Sequence, residues 1–284
     1  MVVGERGHIL FSDDDGATWA QAKVPVQVML TAVRMLDAQT GWTVGHDAAI
    51  LRTRDGGETW QLVHHAPQAQ LPLLDVWFRD ADYGFAVGAF GAFLASTDGG
   101  DTWTCRNGCW DEDDRAGEPP LLHAPDSDFE DDFHLNAIVP AGAGRLFLAG
   151  EAGVLYRSDD GGQTWLALPS PYGGSWFGAL ALGADTVLVA GLRGRLFRSE
   201  DAGVNWAQVE TGTTATLTDL IQVKPDRILI TGLAGAILVS SDNGLSASYH
   251  PLPARQGVAT ALVADGGGVV LVGEFGVEFL SEIE

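Results

Sequence analysis

The chain has 284 residues, and its 46% hydrophobic content is enough for a large core. It carries 38 acidic and 16 basic residues, a formal net charge of −22 at pH 7. This excess of acid argues against nucleic acid as a partner, because phosphate contacts need a basic face, and against anionic membrane surfaces. The negative charge therefore leaves three interpretations open: binding of cationic partners, binding of divalent metals, or solubility alone.

The first residues resemble neither a signal peptide nor a membrane span, because Met1 leads directly into a predicted strand. We expect a soluble monomer without direct membrane insertion and without a cofactor. The compartment stays open. The protein is cytoplasmic as the sequence stands, and periplasmic or exported if its N-terminus is processed or shortened.

Along the chain, one short motif recurs six times, Ser/Thr-x-Asp-x-Gly-x-Thr-Trp, and we call each copy an Asp box. The fifth copy has Asn205 in place of the second Thr, and the sixth ends in Ser246 and lacks the Trp. The six motif aspartates are Asp14, Asp55, Asp98, Asp160, Asp201 and Asp242.

A second marker, a turn of the form Gly-x-x-Gly, precedes each box and occurs seven times. Its first glycines are Gly4, Gly45, Gly88, Gly150, Gly191, Gly232 and Gly273, in steps of 41, 43, 62, 41, 41 and 41 residues. A unit of about 41 residues therefore recurs, with one insertion of about 20 residues after the third copy. A period of ~40–45 residues is typical of β-propellers, which have four strands per blade.

The third unit shows how the strands are assigned. Leu74–Phe78, Gly84–Gly88 and Ala92–Ser96 are short apolar runs, and a fourth strand is predicted to begin near Thr102. Over the whole chain, second and third strands occur seven times but first and fourth strands six times. The sequence thus predicts one all-β domain, residues 1–284, forming a seven-bladed β-propeller with an incomplete first and last blade. A six-bladed ring with spare strands is the alternative.

The Asp boxes, between third and fourth strands, are predicted to be structural. Each Asp can accept hydrogen bonds from backbone N–H groups of its own tight loop, and each Trp can cover the sheet edge. Calcium binding is the alternative, but a calcium loop needs several converging oxygen ligands. Thr53-Arg54-Asp55 offers one carboxylate beside a cation, which favours the structural interpretation.

The insertion, at about residues 104–134, holds ten acidic residues and two arginines. Its dense acidic part, residues 111–132, is interpreted either as a solvated loop or as a site for a cation or a basic peptide. Cys105 and Cys109 lie four residues apart, and the spacing allows a disulfide without requiring one.

The boxes resemble the Asp-box, or bacterial neuraminidase repeat, of sialidases, sortilin-type receptors and several carbohydrate-active propellers. The fuller unit, as in Gly41-Trp42-Thr43-Val44-Gly45 through Trp60, resembles the photosystem II stability/assembly factor family. This resemblance covers nearly the whole chain except residues 104–134 and implies a propeller that binds other proteins. Photosynthetic members share an arginine-lined patch on one face. Here the corresponding turns have mixed charges, with Arg6 and Arg193 as their cations.

In a propeller, the turn from second to third strand lies on the same face as the link to the next blade, opposite the Asp boxes. We therefore place the candidate binding surface on the Gly-x-x-Gly turns. The predicted partner-binding residues are Glu5, Arg6, His46, Asp47, Phe90, Glu151, Arg193, Glu274 and Phe275.

Two functional classes follow from these residues. The first is a non-catalytic protein-binding propeller that assists assembly of a membrane-associated or exported complex. The second is a sialidase-like glycoside hydrolase, which would need two carboxylates facing across a cleft. Glu5, Asp47, Glu151 and Glu274 could supply such a pair, but the Arg-Ile/Leu-Pro signature of sialidases is absent. We therefore predict no catalytic residues and favour the binding protein.

Overall fold

The computed structural model describes residues 1–108, 122 and 133–281. The described chain is all β, and its strands form seven antiparallel sheets in chain order, each joining neighbours in sequence. The two end sheets have three strands and the other five have four. This is the seven-bladed β-propeller that the sequence predicts, with a second strand as its first element and a third strand as its last.

The strand bounds follow the repeat closely. They are β1 (Val2–Val3), β2 (Ile9–Phe11) and β3 (Ala20–Gln21) in blade 1; β4 (Leu30–Met35), β5 (Gly41–Gly45), β6 (Ile50–Thr53) and β7 (Gln61–His64) in blade 2; β8 (Leu73–Phe78), β9 (Gly84–Gly88), β10 (Phe93–Ser96) and β11 (Thr104–Asn107) in blade 3; β12 (Leu135–Pro140), β13 (Leu146–Gly150), β14 (Leu155–Ser158) and β15 (Leu166–Ala167) in blade 4; β16 (Trp176–Ala181), β17 (Val187–Gly191), β18 (Leu196–Ser199) and β19 (Ala207–Val209) in blade 5; β20 (Leu217–Lys224), β21 (Arg227–Gly232), β22 (Ile237–Ser240) and β23 (Ser248–Tyr249) in blade 6; and β24 (Val258–Val263), β25 (Val269–Gly273) and β26 (Gly276–Leu280) in blade 7.

The helical elements are single 3-10 turns. Six of them are the Gly-x-x-Gly turns, which join the second to the third strand. These six are Glu5–Gly7, His46–Ala48, Ala89–Gly91, Glu151–Gly153, Leu192–Gly194 and Leu233–Gly235. Another 3-10 turn, Pro67–Ala69, lies between β7 and β8. No helix in the described part of the chain has the length and apolar character needed to cross a membrane.

By their contacts the residues group into two compact units. Unit 1 is Met1–Asp14 with Thr18–Ile138, and unit 2 is Asp15–Ala17 with Val139–Glu284. In unit 1 an apolar cluster joins Trp42 and Ile50 of blade 2 to Leu73 and Phe78 of blade 3. Unit 2 is built in the same way, with clusters shared by blades 4 and 5, 5 and 6, and 6 and 7. The core of each unit thus lies between the facing sheets of neighbouring blades.

Blade 7 departs from the other blades in its register. In blades 1 to 6 the residue before the first turn glycine pairs with the residue five positions after that glycine, as Ala190 pairs with Leu196. In blade 7 Val272 pairs with Val277, and Gly273 pairs directly with Gly276 across a two-residue turn. Strand β26 is therefore displaced by one residue relative to the third strands of the other blades.

Candidate functional site

The Gly-x-x-Gly turns have the same backbone geometry in blades 1 to 6. The second middle residue has a positive φ in each, although none of these residues is glycine. The residues are Arg6 (φ 55°), Asp47 (59°), Phe90 (55°), Ala152 (52°), Arg193 (59°) and Ala234 (54°). A left-handed conformation costs an L-residue roughly 1 kcal/mol or more, so each turn holds its second middle side chain in a strained position.

In five of the seven turns the first glycine is needed because of a close backbone approach. A Cβ at Gly191 would lie 2.0 Å from the carbonyl oxygen of Ser175, and one at Gly45 would lie 2.2 Å from that of Met29. The fourth position instead has a positive φ, for example 70° at Gly194, and the second copy departs from the motif by placing Ala48 there (φ 50°). The two positions thus favour glycine for different physical reasons.

Hydrogen bonds place each turn beside the interblade links. The amide of His46 donates to Met29 O (2.9 Å), just before β4, and that of Leu192 donates to Ser175 O (2.9 Å), just before β16. The next blade's link is held by the fourth turn position, since the Gly153 amide donates to Gly174 O (2.9 Å). The turns therefore lie at the side of each blade where the chain passes to the next blade.

In unit 1 the predicted contact residues at these turns are solvent accessible. Glu5, Arg6 and His46 are exposed, and Asp47 is half-buried. Phe90 is 49% exposed although it is a large apolar side chain. Its ring meets the ring of His134 edge-on, with centroids 5.3 Å apart. The third turn therefore presents an exposed aromatic ring that packs against a second ring.

Both described ends of the insertion are fixed to this third turn. Asn107 Nδ2 donates to Gly91 O (2.9 Å), and the Gly91 amide donates to Phe133 O (2.7 Å). The insertion thus starts and ends beside Phe90, on the side expected from the sequence. The acidic residues 111–132, proposed above as a cation or peptide site, lie outside the described residues. Cys105 is disulfide-bonded, and the other cysteine of the sequence, Cys109, also lies outside them.

In unit 2 the predicted residues differ in how freely they project. Arg193 is exposed and, within residues 133–281, forms no salt bridge, while Glu151 is half-buried. The Glu274 carboxylate accepts a hydrogen bond from the Gly257 amide (2.8 Å), so it also braces its own blade. Phe275 packs against the apolar cluster shared by blades 6 and 7 and is half-buried. The seventh turn therefore combines an exposed carboxylate that braces its own blade with a partly packed aromatic ring.

The Asp boxes are closed hydrogen-bond networks, as the second box shows. Asp55 Oδ1 accepts from the Thr59 amide (3.0 Å) and from the Thr53 hydroxyl (2.8 Å), and Oδ2 accepts from the Thr59 hydroxyl. The Thr53 hydroxyl oxygen also accepts from the Gly57 amide (2.9 Å), and Trp60 Nε1 donates to Gly57 O (3.1 Å). These bonds, led by that from the Thr59 hydroxyl, lower the pKa of Asp55 to about 2.

A further bond ties five of the six boxes to their own blades. The amide at the fourth box position donates to a carbonyl in the hairpin between the first and second strands. The pairs are Gly56 with Gln39, Gly99 with Asp82, Gly161 with Gly144, Ala202 with Asp185 and Asn243 with Asp226. Within the described residues no group of three or more His, Cys, Asp or Glu side chains has metal-binding geometry. The box carboxylates are oriented toward their own loops.

Sequence reasoning did not identify a set of arginines that join neighbouring blades. Arg52 lies directly before the Thr of its box, and it donates to Gly99 O (2.8 Å) in the next blade's box and to Asp101 (2.6 Å). Arg157 and Arg198 occupy the same motif position and donate to Ala202 O and Asn243 O, each 2.9 Å. The signal was present in the sequence, because an Arg precedes the box Ser/Thr in three of the six copies.

A partly buried acid in unit 2 was also not identified. Asp219, in the first strand of blade 6, accepts hydrogen bonds from the Leu220 amide (2.8 Å) and from the Thr260 hydroxyl in blade 7. Burial raises the pKa of Asp219 to about 6. The Asp219 carboxyl therefore gains and loses its proton at a higher pH than most aspartates do.

Comparison with known proteins gives the family and supports the fold. The family model described as Photosynthesis system II assembly factor YCF48 matches residues 11–71 and 65–220. The chloroplastic photosystem II stability/assembly factor HCF136 of Cyanidioschyzon merolae (strain NIES-3377 / 10D) is 42% identical over 48 residues. That match spans 16% of this chain and 11% of the relative's length.

Two solved structures share the architecture. YCF48 from Cyanidioschyzon merolae has a TM-score of 0.73 at 16% identity, over 97% of this chain and 88% of its own. The GH74 xyloglucanase from Xanthomonas campestris has a TM-score of 0.63 at 16% identity, over 96% of this chain and 48% of its own. At these identities the similarity establishes the propeller fold alone. The family match, which extends over well more than half of the residues, shows that this chain belongs to the YCF48 family of photosynthesis system II assembly factors.

Proposed function

We propose that this chain is a non-catalytic protein-binding propeller that assists the assembly of a membrane-associated or exported protein complex. Membership of the YCF48 family is the observation that carries the proposal, since that family is described by its part in assembly. The mixed charges of the turns differ from the arginine-lined patch of photosynthetic relatives. We therefore propose a partner with an apolar site for Phe90 and separate acidic groups for the isolated arginines of the turns, rather than a broad acidic surface.

The geometry of the turns supports their use as contact points. Exposed Phe90 and Arg193 are held at φ 55° and 59°, where a glycine would be less strained. Aromatic and arginine side chains are also the ones that most often dominate protein interfaces. All six turns share this conformation, and at these two positions the side chain is exposed and of a kind suited to binding a protein.

Affinity capture from the native host tests this proposal. We expect Phe90→Ala and Arg193→Glu each to reduce capture of the wild-type partner at least about tenfold, and the double variant to abolish it. The matched controls are Leu245→Ala and Arg54→Glu, which are exposed on Asp-box loops and remove the same kinds of group. Undiminished capture by the double variant, with unchanged thermal stability, would contradict the proposal, as would an equal loss in the controls.

A glycoside hydrolase remains the second functional class, and the GH74 similarity reaches no further than the fold. Fluorogenic glycosides provide the discriminating assay. We expect no turnover above background. Turnover that is lost in Glu151→Gln and retained in Glu210→Gln would replace the binding proposal with a catalytic one.

A further inference from the structure

The histidines of the described chain all lie at the same end of their blades, the end that carries the Gly-x-x-Gly turn. Each is within such a turn, directly after it, or at or next to a strand terminus beside it. They are His8, His46, His64, His65, His134 and His250. In blade 6, for example, the His250 amide donates to Ile237 O (2.8 Å) at the start of β22, just after the sixth turn. The six motif aspartates occupy the opposite end, and the seventh histidine, His123, lies outside the described residues.

In blades 1 and 2 these histidines belong to one hydrogen-bonded group of segments. The amides of Gly7 and His46 donate to consecutive carbonyl oxygens of the link before β4, at 2.8 and 2.9 Å, so this link joins the first turn to the second. The end of blade 2 is joined to the second turn as well, because the Ala66 amide donates to Asp47 O (2.9 Å). We call residues 5–8, 46–48 and 64–66 the histidine surface.

Few other charges face these histidines. Within the histidine surface they are the carboxylates of Glu5 and Asp47 and the guanidinium of Arg6. The link before β4, residues 24–29, and the turn Pro67–Ala69 both pack against the surface, and neither contains an ionisable side chain.

The strands behind the two turns add two ionisable groups. Arg34 is the fifth residue of β4 and lies toward the Asp-box end of the strand. The Asp75 carboxylate, in β8, accepts from the amides of Val76 and Ile138, each at 2.8 Å. Among the described residues, the histidines are therefore the groups that determine how the charge of the histidine surface changes near neutral pH.

The charge of the histidine surface depends on pH. Histidine is the side chain whose charge ordinarily changes between pH 5 and 8, whereas carboxylates and arginine keep theirs over that range. His8, His46 and His65 are exposed, and His64 is half-buried. The formal charge of the surface is −1 when its histidines are neutral and +2 when the three exposed ones are protonated. The surface thus becomes cationic in mild acid, while the protein stays acidic because seven histidines cannot offset a charge of −22.

We propose that the histidine surface is a pH-dependent contact for a carboxylate-rich segment of a partner protein, which binds in mild acid and dissociates at neutral pH. This inference rests on the proposed function, because it gives the partner of the turns its chemistry and its regulation. The partner's carboxylates stay ionised at pH 5.5, since their ordinary pKa is about 4. The change in attraction therefore comes from this protein. Exposed Phe90, on the turn of blade 3, supplies an apolar contact in the same unit.

The probe is the acetylated, amidated octapeptide Glu-Gly-Leu-Glu-Gly-Leu-Glu-Gly, titrated calorimetrically into the intact protein at about 0.15 M salt. At that ionic strength charges more than about 8 Å away are largely screened, so the distant acids of the chain do not mask the local attraction. We expect about tenfold tighter binding at pH 5.5 than at pH 7.5, because three exposed charge pairs each add a modest contribution. A peptide with glutamine in place of glutamate should show no such difference.

The triple variant His8→Gln, His46→Gln, His65→Gln should bind the glutamate peptide at both pH values as weakly as the wild type does at pH 7.5. The same three changes to arginine should give tight binding at both. His250→Gln, at an exposed histidine of blade 6, is the matched control and should keep the wild-type pH dependence. At pH 6.5 the peptide should move the imidazole resonances of the three histidines toward their protonated positions, because binding and protonation are linked.

Equal affinity of the wild type at the two pH values, no binding at pH 5.5, or a pH dependence that survives in the glutamine triple variant would each overturn the proposal. The proposed function is judged separately, by capture of the native partner with the Phe90 and Arg193 variants. Loss of capture in those variants together with pH-independent peptide binding would support the function and remove this inference. Undiminished capture together with the expected peptide response would remove the function and leave a pH-dependent surface for carboxylates.

Discussion

Asp55 illustrates how a single residue organises a loop. Its carboxylate accepts three hydrogen bonds from Thr53 and Thr59, so it holds a strand end to the start of the next strand. The loop contains two residues with positive φ, Gly56 (74°) and Gly57 (95°). Glycine adopts such angles at little cost, whereas other residues do not. The box Asp therefore fixes the conformation that its glycines permit.

We expect Asp55→Ala to lower the free energy of unfolding by about 1 kcal/mol, because three hydrogen bonds to an exposed charged acceptor are replaced by water. The effect depends on pH. The pKa of Asp55 is lowered in the folded state, so its contribution is present above pH ~4 and is lost as the pH falls toward 2. Urea denaturation of the wild type and the variant at pH 7 and pH 3 measures the loss of stability and its dependence on pH. Glu58→Ala, in the same loop but outside the network, is the control, and an equal loss there would contradict a structural role for the box.

Asp219 is expected to have the opposite pH dependence. Its pKa is raised to about 6 in the folded state, so the folded protein binds the proton more tightly than the unfolded chain does. Its contribution is fully favourable below pH ~4 and is lost as the pH rises through 6, by up to about 3 kcal/mol. We expect Asp219→Asn to remove this component from the difference in unfolding free energy between pH 4.5 and pH 8. Exposed Asp226→Asn is the matched control, and a pH profile unchanged by Asp219→Asn would show the expectation to be wrong.

At the scale of the element, the first glycine of the turn motif is required in some turns and replaceable in others. A Cβ at Gly191 would meet Ser175 O at 2.0 Å, whereas a Cβ at Gly4 has no heavy atom within 4 Å. Both residues have extended backbones, with φ near −173°, so neither needs glycine for its dihedral angles. Gly191→Ala should therefore cost at least about 2 kcal/mol, and Gly4→Ala should stay within about 0.5 kcal/mol of the wild type. Thermal denaturation of the two variants, side by side, checks this, and equal melting shifts would contradict it.

The arginine that joins blade 2 to blade 3 is asymmetric. The Arg52 side chain is 4% exposed, while that of its partner Asp101 is 58% exposed. We expect Arg52→Met to lower the unfolding free energy by about 1–3 kcal/mol and Asp101→Ala by less than about 1 kcal/mol, because the exposed carboxylate is already solvated. The double variant should cost little more than Arg52→Met alone. Full additivity in this cycle would show that the bond to Gly99 O, rather than the ion pair, carries the interaction.

At the scale of the whole molecule, periodicity predicted the most. Seven glycine turns at a step of about 41 residues predicted seven blades and the incomplete first and last sheets, and the structure confirms both. The prediction succeeds because every repeat must bury the same face against its neighbour. The same apolar and turn residues therefore recur in each blade.

The register of β26 could not be predicted, because Gly273-Glu274-Phe275-Gly276 keeps the turn motif but forms a tighter turn. In earlier blades the amide at the fourth turn position is fixed by a link that follows, as Gly153 is by Gly174. The choice between the two turns therefore depends on tertiary context. The candidate surface is affected in the same way. Exposure of Phe90 follows from its place at a turn tip, whereas the packing of Phe275 depends on which turn forms.

Asp15 introduces an order of events into the folding of the chain. Its carboxylate accepts from the amides of Asp265 and Gly266, each at 3.0 Å, across about 250 residues of sequence. Most other interblade bonds span 40 to 60 residues, such as that from Arg52 to Gly99. During translation each middle blade can therefore close soon after it leaves the ribosome, whereas residues 15–17 must wait for residue 266. These three residues are thus among the last to be secured, so a pause before residue 266 is synthesised would leave them exposed to proteases and chaperones.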